Sequence, residues 1–359
     1  MTDCIIIGGG IIGMLTARNL QIAGYKVRII EKGETGRESS WAGGGIISPL
    51  YPWRYKDSIT ELATWGQAHY QSLSEQLKQD TDIDPEYTSN GLLIISPDEE
   101  AEAVNWAKQF SSRLSIISPN QVSQIEPAMQ TQEYSGIWME AIAQVRNPRL
   151  VKALRTDIDH RGIEVISRTE VTSFKLQNQK ITGVSTKKGD FEADQFAVCS
   201  GAWTGELLKP LGIEIPITPV QGQMILFKAG EKDITRIVLE EDRYIIPRRD
   251  GRVLFGSTVE HVDFNKQVTA QAKQELHDIA IERFPILKNM EIEHHWAGLR
   301  PGSPDGVPMI SQHPEYENLF INAGHFRNGV VLAPASCQLI TEIMLDQPTS
   351  FASEDYSIH

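Results

Sequence analysis

The sequence predicts a mixed α/β fold in which an α/β unit, present at both ends and in the middle of the chain, is interrupted twice by antiparallel sheet. Three observations predict it. A strand, a glycine loop, a helix and a second strand follow one another within residues 4–31; an apolar–polar alternation runs from Pro219 to Glu260; and a buried strand followed by an apolar helix occupies the last part of the chain. The 359 residues suit about two domains at roughly 150 residues each. Residues 1–85, 145–215 and 297–359 are read as a nucleotide-binding domain, and 86–144 and 216–296 as the inserted one.

Cys4-Ile5-Ile6-Ile7 is the continuous apolar run of a strand covered on both faces. Gly8-Gly9-Gly10-Ile11-Ile12-Gly13 follows at once, then residues 14–24 read as a helix stopped by its C-terminal glycine. Residues 26–30 form a second apolar strand with Glu31 at its end. A loop with Gly43-Gly44-Gly45, Pro49 and Pro52 leads to helical periodicity over 59–79 and 99–111, and again over 150–161, closed by Gly162. Strand signals cover 164–166, 171–174, 181–186 and 191–199. The alternation from Pro219 to Glu260 predicts an antiparallel sheet with one exposed face. Within it, Asp250-Gly251 predicts a two-residue hairpin loop that sets Tyr244 opposite Ser257, with Val259 diagonal on the same face. Residues 269–283 are helical, 319–322 a buried strand, and about 330–345 an apolar helix.

Composition narrows the function. Apolar residues make up 40% and charged residues 23%, as in a soluble globular protein. The net charge of −13, with no basic stretch longer than a pair, argues against a phosphate-backbone partner. No run of about 18 apolar residues predicts a membrane span, and no basic, cleavable leader is read at the N-terminus. Cys4, Cys199 and Cys337 lie far apart in apolar runs, which fits a reducing cytoplasm and neither a disulfide framework nor a metal site.

The G-x-G-x-x-G spacing of Gly8, Gly10 and Gly13 carries a mechanism. Gly8 permits the tight turn, Gly10 lets the backbone approach a pyrophosphate, and Gly13 lets the helix pack on the sheet. The helix N-terminus then offers free N–H groups to the phosphates. Glu31 stands where a carboxylate accepts ribose hydroxyls, and its charge disfavours the 2′-phosphate of NADP. An NAD dehydrogenase would need a catalytic constellation beyond the fold, and none stands out. FAD is favoured by three further segments: the small residues from Ser39 to Gly45, a strand ending in the turn Ser200-Gly201-Ala202, and the loop Gly324-His325-Phe326-Arg327-Asn328-Gly329 before the last helix. That helix N-terminus can stabilise negative charge on a reduced flavin. The expected cofactor contacts are Gly8, Gly10, Ile11, Ile12, Gly13, Glu31, Lys32, Ser39, Ser40, Gly43, Gly44, Gly45, Val171, Gly201, His325, Phe326, Arg327, Asn328, Gly329, Val330 and Val331.

Gly8–Gly13, the Ser39–Gly45 loop, Trp296-Ala297-Gly298-Leu299-Arg300-Pro301 and the Gly324–Gly329 loop together resemble the D-amino-acid oxidase/glycine oxidase superfamily, most nearly the glycine oxidases of bacterial thiamine synthesis. The resemblance spans nearly the whole chain. It implies a Rossmann-type FAD-binding domain from discontinuous segments, an inserted antiparallel-sheet substrate domain roofing the flavin, non-covalent FAD and a homotetramer. Related sarcosine oxidases attach FAD through a cysteine; residues 290–320 contain none.

A flavin amine oxidase has chiefly to orient an amino acid for hydride transfer from its α-carbon to flavin N5. The planar guanidinium of Arg300 is the candidate for binding the carboxylate with paired hydrogen bonds. The resemblance supports that role and adds Tyr244 as a second carboxylate donor and Arg327 as a third site residue. His294, His295 and His325 are read as structural or, for His325, as part of the flavin loop, since hydride transfer from an unprotonated amine needs no base. Gly45 and Val259 replace methionines of the glycine oxidase pattern, which implies room for larger amino acids or N-alkyl glycines. The expected reaction is oxidative deamination of glycine, D-amino acids or N-alkyl glycines to 2-oxo acid, ammonia or amine, and H₂O₂, with O₂ as acceptor and a role in thiamine thiazole synthesis. A D-amino-acid dehydrogenase passing electrons to a quinone and a non-catalytic flavoprotein are the alternatives.

Overall fold

A computed structural model describes residues 3–95, 98–130, 134–212 and 214–358. β1 (Cys4–Ile7), α1 (Ile11–Ile22) and β2 (Val27–Ile30) form the N-terminal βαβ unit. β1 sits inside a six-stranded sheet ordered Met309–Gln312, Leu319–Ala323, Gln195–Val198, β1, β2, Glu164–Ile166. All neighbours are parallel except the edge strand Met309–Gln312, which runs against Leu319–Ala323. The apolar run of β1 divides by parity, as side chains on a strand must. Cys4 and Ile6 pack with α1 and the helix Gly329–Met344, whereas Ile5 and Ile7 pack toward Val171, Ile181 and Val184 of a smaller sheet.

The strand signal over 191–199 resolves into two strands in different sheets. Gly189–Glu192 joins Lys180–Thr186 and Val171–Gln177 in a three-stranded antiparallel sheet, and Gln195–Val198 enters the parallel one. The crossing is fixed from a distance: the Asn318 side-chain amide donates to the carbonyls of Ile181 (2.7 Å) and Asp194 (2.9 Å). Nothing local to 191–199 marks it.

A second, eight-stranded sheet is ordered Glu291–Gly302, Thr218–Lys228, Arg252–Gly256, Arg243–Pro247, Ile237–Glu240, Leu92–Ile95, Gly136–Met139, Ser115–Ile117. Its pairs are antiparallel except Ile237–Glu240 with Leu92–Ile95. The face expected in water is covered. Ile225, Ile245 and Phe255 pack with Leu276 and Ala280 of the helix Ala270–Arg283, while Met224, Tyr244 and Ile246 pack toward Ile46 and Leu50. Polar side chains that produced the alternation are paired inside: Gln223 donates to the Glu260 carboxylate (2.9 Å) and accepts from the Thr269 amide (3.0 Å).

The hairpin loop is one residue longer than expected. Arg248 N–H donates to the Arg252 carbonyl (2.8 Å) and Gly251 N–H to the Arg248 carbonyl (3.1 Å), closing a three-residue loop with Gly251 at φ +81°. Tyr244 therefore pairs with Gly256, not Ser257, and Val259 is 40% exposed. Among the described residues no helix is long and apolar enough to cross a membrane, and no cluster of three metal-ligating side chains occurs.

Candidate functional site

Between the two sheets lies a cavity of about 510 Å³, within the range of small-molecule sites. Its wall contains the expected contacts Gly8, Gly10, Ile11, Ile12, Glu31, Lys32, Ser39, Ser40, Gly43, Gly44, Gly45, Val171, Gly201, His325, Phe326, Arg327, Gly329 and Val330, together with Tyr244 and Arg300. Gly13, Asn328 and Val331 do not reach it. A Cβ on Gly13 would lie 1.9 Å from the Gly8 carbonyl oxygen, so this glycine serves helix packing. Val331 points into the core beneath α1, and Asn328 is buried.

One end of the cavity is built by the glycine loop. Gly8 has φ +112°, and a Cβ there would stand 2.4 Å from the Cys199 carbonyl oxygen, so only glycine lets β1 and the strand Gln195–Val198 close on the loop. No acidic side chain occupies the first turn of α1, leaving its partial positive charge facing the cavity. Glu31 is held by the amides of Gly9 and Gly33, both donating at 2.7 Å, which fixes its carboxylate at the wall. Asn322, also in the wall, has a buried side-chain oxygen with no donor. A glycine cradle, an anion-favouring helix end, an anchored carboxylate and an unpaired acceptor fit a dinucleotide such as FAD.

The other end is polar on the eight-stranded sheet. The Arg300 guanidinium donates to the carbonyls of Gln221 and Thr258 (both 3.2 Å) and to Ser257 Oγ (2.6 Å). Among the described residues no carboxylate pairs with it. It lies across Gly222, where a Cβ would come within 2.1 Å of Nη2. Desolvation lowers its pKa from the ordinary value, opposed by the adjacent Tyr244 phenol, and the group stays cationic. Arg327 differs: its Nη1 donates to Asp242 Oδ1 at 3.0 Å, while its Nη2 is buried without an acceptor.

Gly45 and Val259 do not enlarge this end. A Cβ on Gly45 would meet the Val145 carbonyl oxygen at 2.1 Å, so a side chain there runs into backbone, and Val259 lies off the wall. Met224 and Leu50 line the cavity instead.

His325 is buried and shares a hydrogen bond with Ser336 (3.0 Å); burial pushes its pKa down to about 3. The imidazole is neutral in the folded protein where the unfolded chain would protonate it. The unfolded state then binds more protons between pH 6.5 and 3, so His325 lowers stability as pH falls through that window. Acid unfolding of His325→Gln, which keeps a partner for Ser336, should show a shallower loss of stability from pH 6.5 to 4 than the parent chain. An unchanged slope would place the acid-sensitive group elsewhere.

Sequence reasoning missed two residues here. Arg248 is buried and donates to Gln144 Oε1 (2.6 Å) and to the carbonyls of Val145 (3.0 Å) and Gly44 (2.8 Å), tying the Gly43–Gly45 loop to the second sheet. Burial lowers its pKa to about 10. Asp242 sits in the turn between Ile237–Glu240 and Arg243–Pro247. Both belong to ordinary runs of charge, Glu240-Glu241-Asp242-Arg243 and Arg248-Arg249, and only the pairing of distant segments singles them out.

The family described as FAD dependent oxidoreductase (DAO) matches residues 3–343. A glycine oxidase of Pseudomonas putida is 46% identical over 341 residues, covering 95% of this chain and 93% of that protein. A bifunctional protein ThiO/ThiG of a Synechocystis species is 32% identical over 355 residues, covering 97% of this chain and 52% of that protein. Among solved structures, glycine oxidase from Geobacillus kaustophilus superposes with a TM-score of 0.95 at 26% identity, covering 99% of this chain and 98% of that one.

Proposed function

The chain belongs to the DAO family of FAD-dependent oxidoreductases, and on that premise we propose that it oxidises glycine and other small amino acids or N-alkyl glycines with O₂ as acceptor. The observation that carries the proposal is Arg300: a desolvated cation on the cavity wall whose partners are all neutral, so a ligand carboxylate is its missing counter-ion. Bound FAD supplies the two-electron acceptor. The Gly8–Gly13 loop and Glu31 would hold its pyrophosphate and ribose, and the Ser39–Gly45 and His325–Val330 segments of the wall would hold its ring.

Arg300 takes the carboxylate and Tyr244 walls it from the sheet side, which fixes the α-carbon while Met224 and Leu50 exclude water. The substrate loses two electrons and two protons to become an imine. Water then releases the 2-oxo acid and ammonia or amine, and O₂ takes up two electrons and two protons as H₂O₂. No side chain of the wall has to remove the α-proton; His325, neutral and hydrogen-bonded to Ser336, stays a spectator. Similarity to the ThiO/ThiG protein supports delivery of the product to thiamine thiazole formation; the superfamily resemblance implies a homotetramer, and the three free, buried cysteines fit a reducing cytoplasm.

An aerobic panel of glycine, sarcosine and D-alanine with peroxide detection tests the proposal. Steady H₂O₂ from at least one is expected. Anaerobic bleaching of the flavin without aerobic peroxide would replace O₂ by another acceptor such as a quinone, and no reaction with any of the three would overturn the substrate class.

A further inference from the structure

Two arginines face the cavity, and their counter-charges differ. Arg300 has none in contact; Arg327 has Asp242, at 3.0 Å, and Asp242 is the acidic side chain paired with an arginine of the wall among the described residues. Asp242 stands at a hairpin turn, with its side chain 62% exposed and that of Arg327 15% exposed, so the pair sits where the wall meets solvent. The hydrogen bond from Arg327 holds the Asp242 carboxyl below the usual range, so the pair stays ionised. Arg300, Arg327 and Asp242 together therefore comprise two cations on the wall and one anion at its rim, a sum of +1. That balance matches an amino acid with one carboxylate and an unprotonated amine. A second carboxylate would meet Asp242 beside the cation it seeks.

We propose that Asp242 is a specificity-determining residue: by occupying Arg327 it selects amino acids with a single carboxylate against those that carry a second, such as N-carboxymethyl amino acids. The inference rests on the oxidase function proposed above. Removing the charge leaves Arg327 without a counter-ion and raises the sum of the three groups to +2, which favours a dicarboxylate and leaves the Arg300 contact in place.

Sarcosine and iminodiacetate make the cleanest pair, since they are the same secondary amine without and with the second carboxylate. In Asp242→Asn and Asp242→Ser holoenzyme, kcat/KM for iminodiacetate relative to sarcosine should rise roughly tenfold over the parent enzyme. Asp242→Glu should return the ratio toward the parent value. Calorimetry with non-reacting acids gives a readout independent of turnover: malonate should gain roughly tenfold in affinity relative to acetate in the Asn and Ser variants. A merely structural turn would change both members of each pair together. Unchanged ratios in an enzyme that oxidises sarcosine would overturn this inference alone. A parent enzyme inactive on every amino acid tested would overturn the proposed function and the inference with it.

Discussion

Arg300→Ala should lower kcat/KM for glycine or sarcosine by roughly 10²–10³-fold, mostly through KM, with FAD content unchanged. A substrate carboxylate left in the cavity without its cation costs about 2–5 kcal/mol, and each 1.4 kcal/mol is tenfold. Arg300→Lys should recover only part, because an ammonium cannot make two parallel hydrogen bonds. Stability gives the contrast. The guanidinium is desolvated against neutral partners, so replacing it by methionine relieves a penalty while removing three hydrogen bonds. The Tm of Arg300→Met should therefore move by no more than about 3 °C. Steady-state kinetics, the flavin-to-protein absorbance ratio and thermal unfolding decide it together. Intact kinetics, or loss of fold in step with activity, would take Arg300 out of substrate binding.

The second large effect is expected at the glycine loop, and it separates folding from cofactor binding. Gly8→Ala places a Cβ 2.4 Å from the Cys199 carbonyl oxygen on a backbone at φ +112°. Backbone cannot yield as a side chain can, so a loss on the order of 3 kcal/mol or more, with loss of FAD, is expected. Gly10→Ala meets only Ser40 Oγ, at 3.1 Å, and Gly10 has no positive φ. Its apoprotein should unfold close to the parent, while FAD affinity falls roughly tenfold because the backbone can no longer approach the pyrophosphate. Thermal unfolding of both apoproteins, with FAD titration, reads the two effects apart. Full FAD affinity in Gly10→Ala would remove the close approach from that residue.

The βαβ unit was legible because its constraints are local. Strand, turn, helix and acid lie within one short stretch, and Gly8 and Gly13 satisfy contacts with each other or with the adjacent strand. The buried parallel strands were legible in the same way, and eighteen of the residues expected to contact the cofactor line the cavity. The substrate end was less legible. Arg300 was a candidate by its motif and Tyr244 by the resemblance, but the neighbours of Tyr244 depend on one residue in the Arg249–Gly251 loop, and a slip of one residue exchanges every side chain of the strand between faces.

By itself the sequence determined where the glycine cradle at the end of α1 forms, since steric limits on a glycine loop and the hydrogen-bonding needs of a helix end are settled by residues adjacent in the chain. Tertiary structure decided what lies opposite it: that Arg300 has no counter-ion while Arg327 has Asp242, that Arg248 anchors Gly44, and that Gly45 opens no room. Those residues come from strands and turns distant in sequence. Their pairing is set by register and packing, which a one-dimensional pattern of charge and hydrophobicity does not encode.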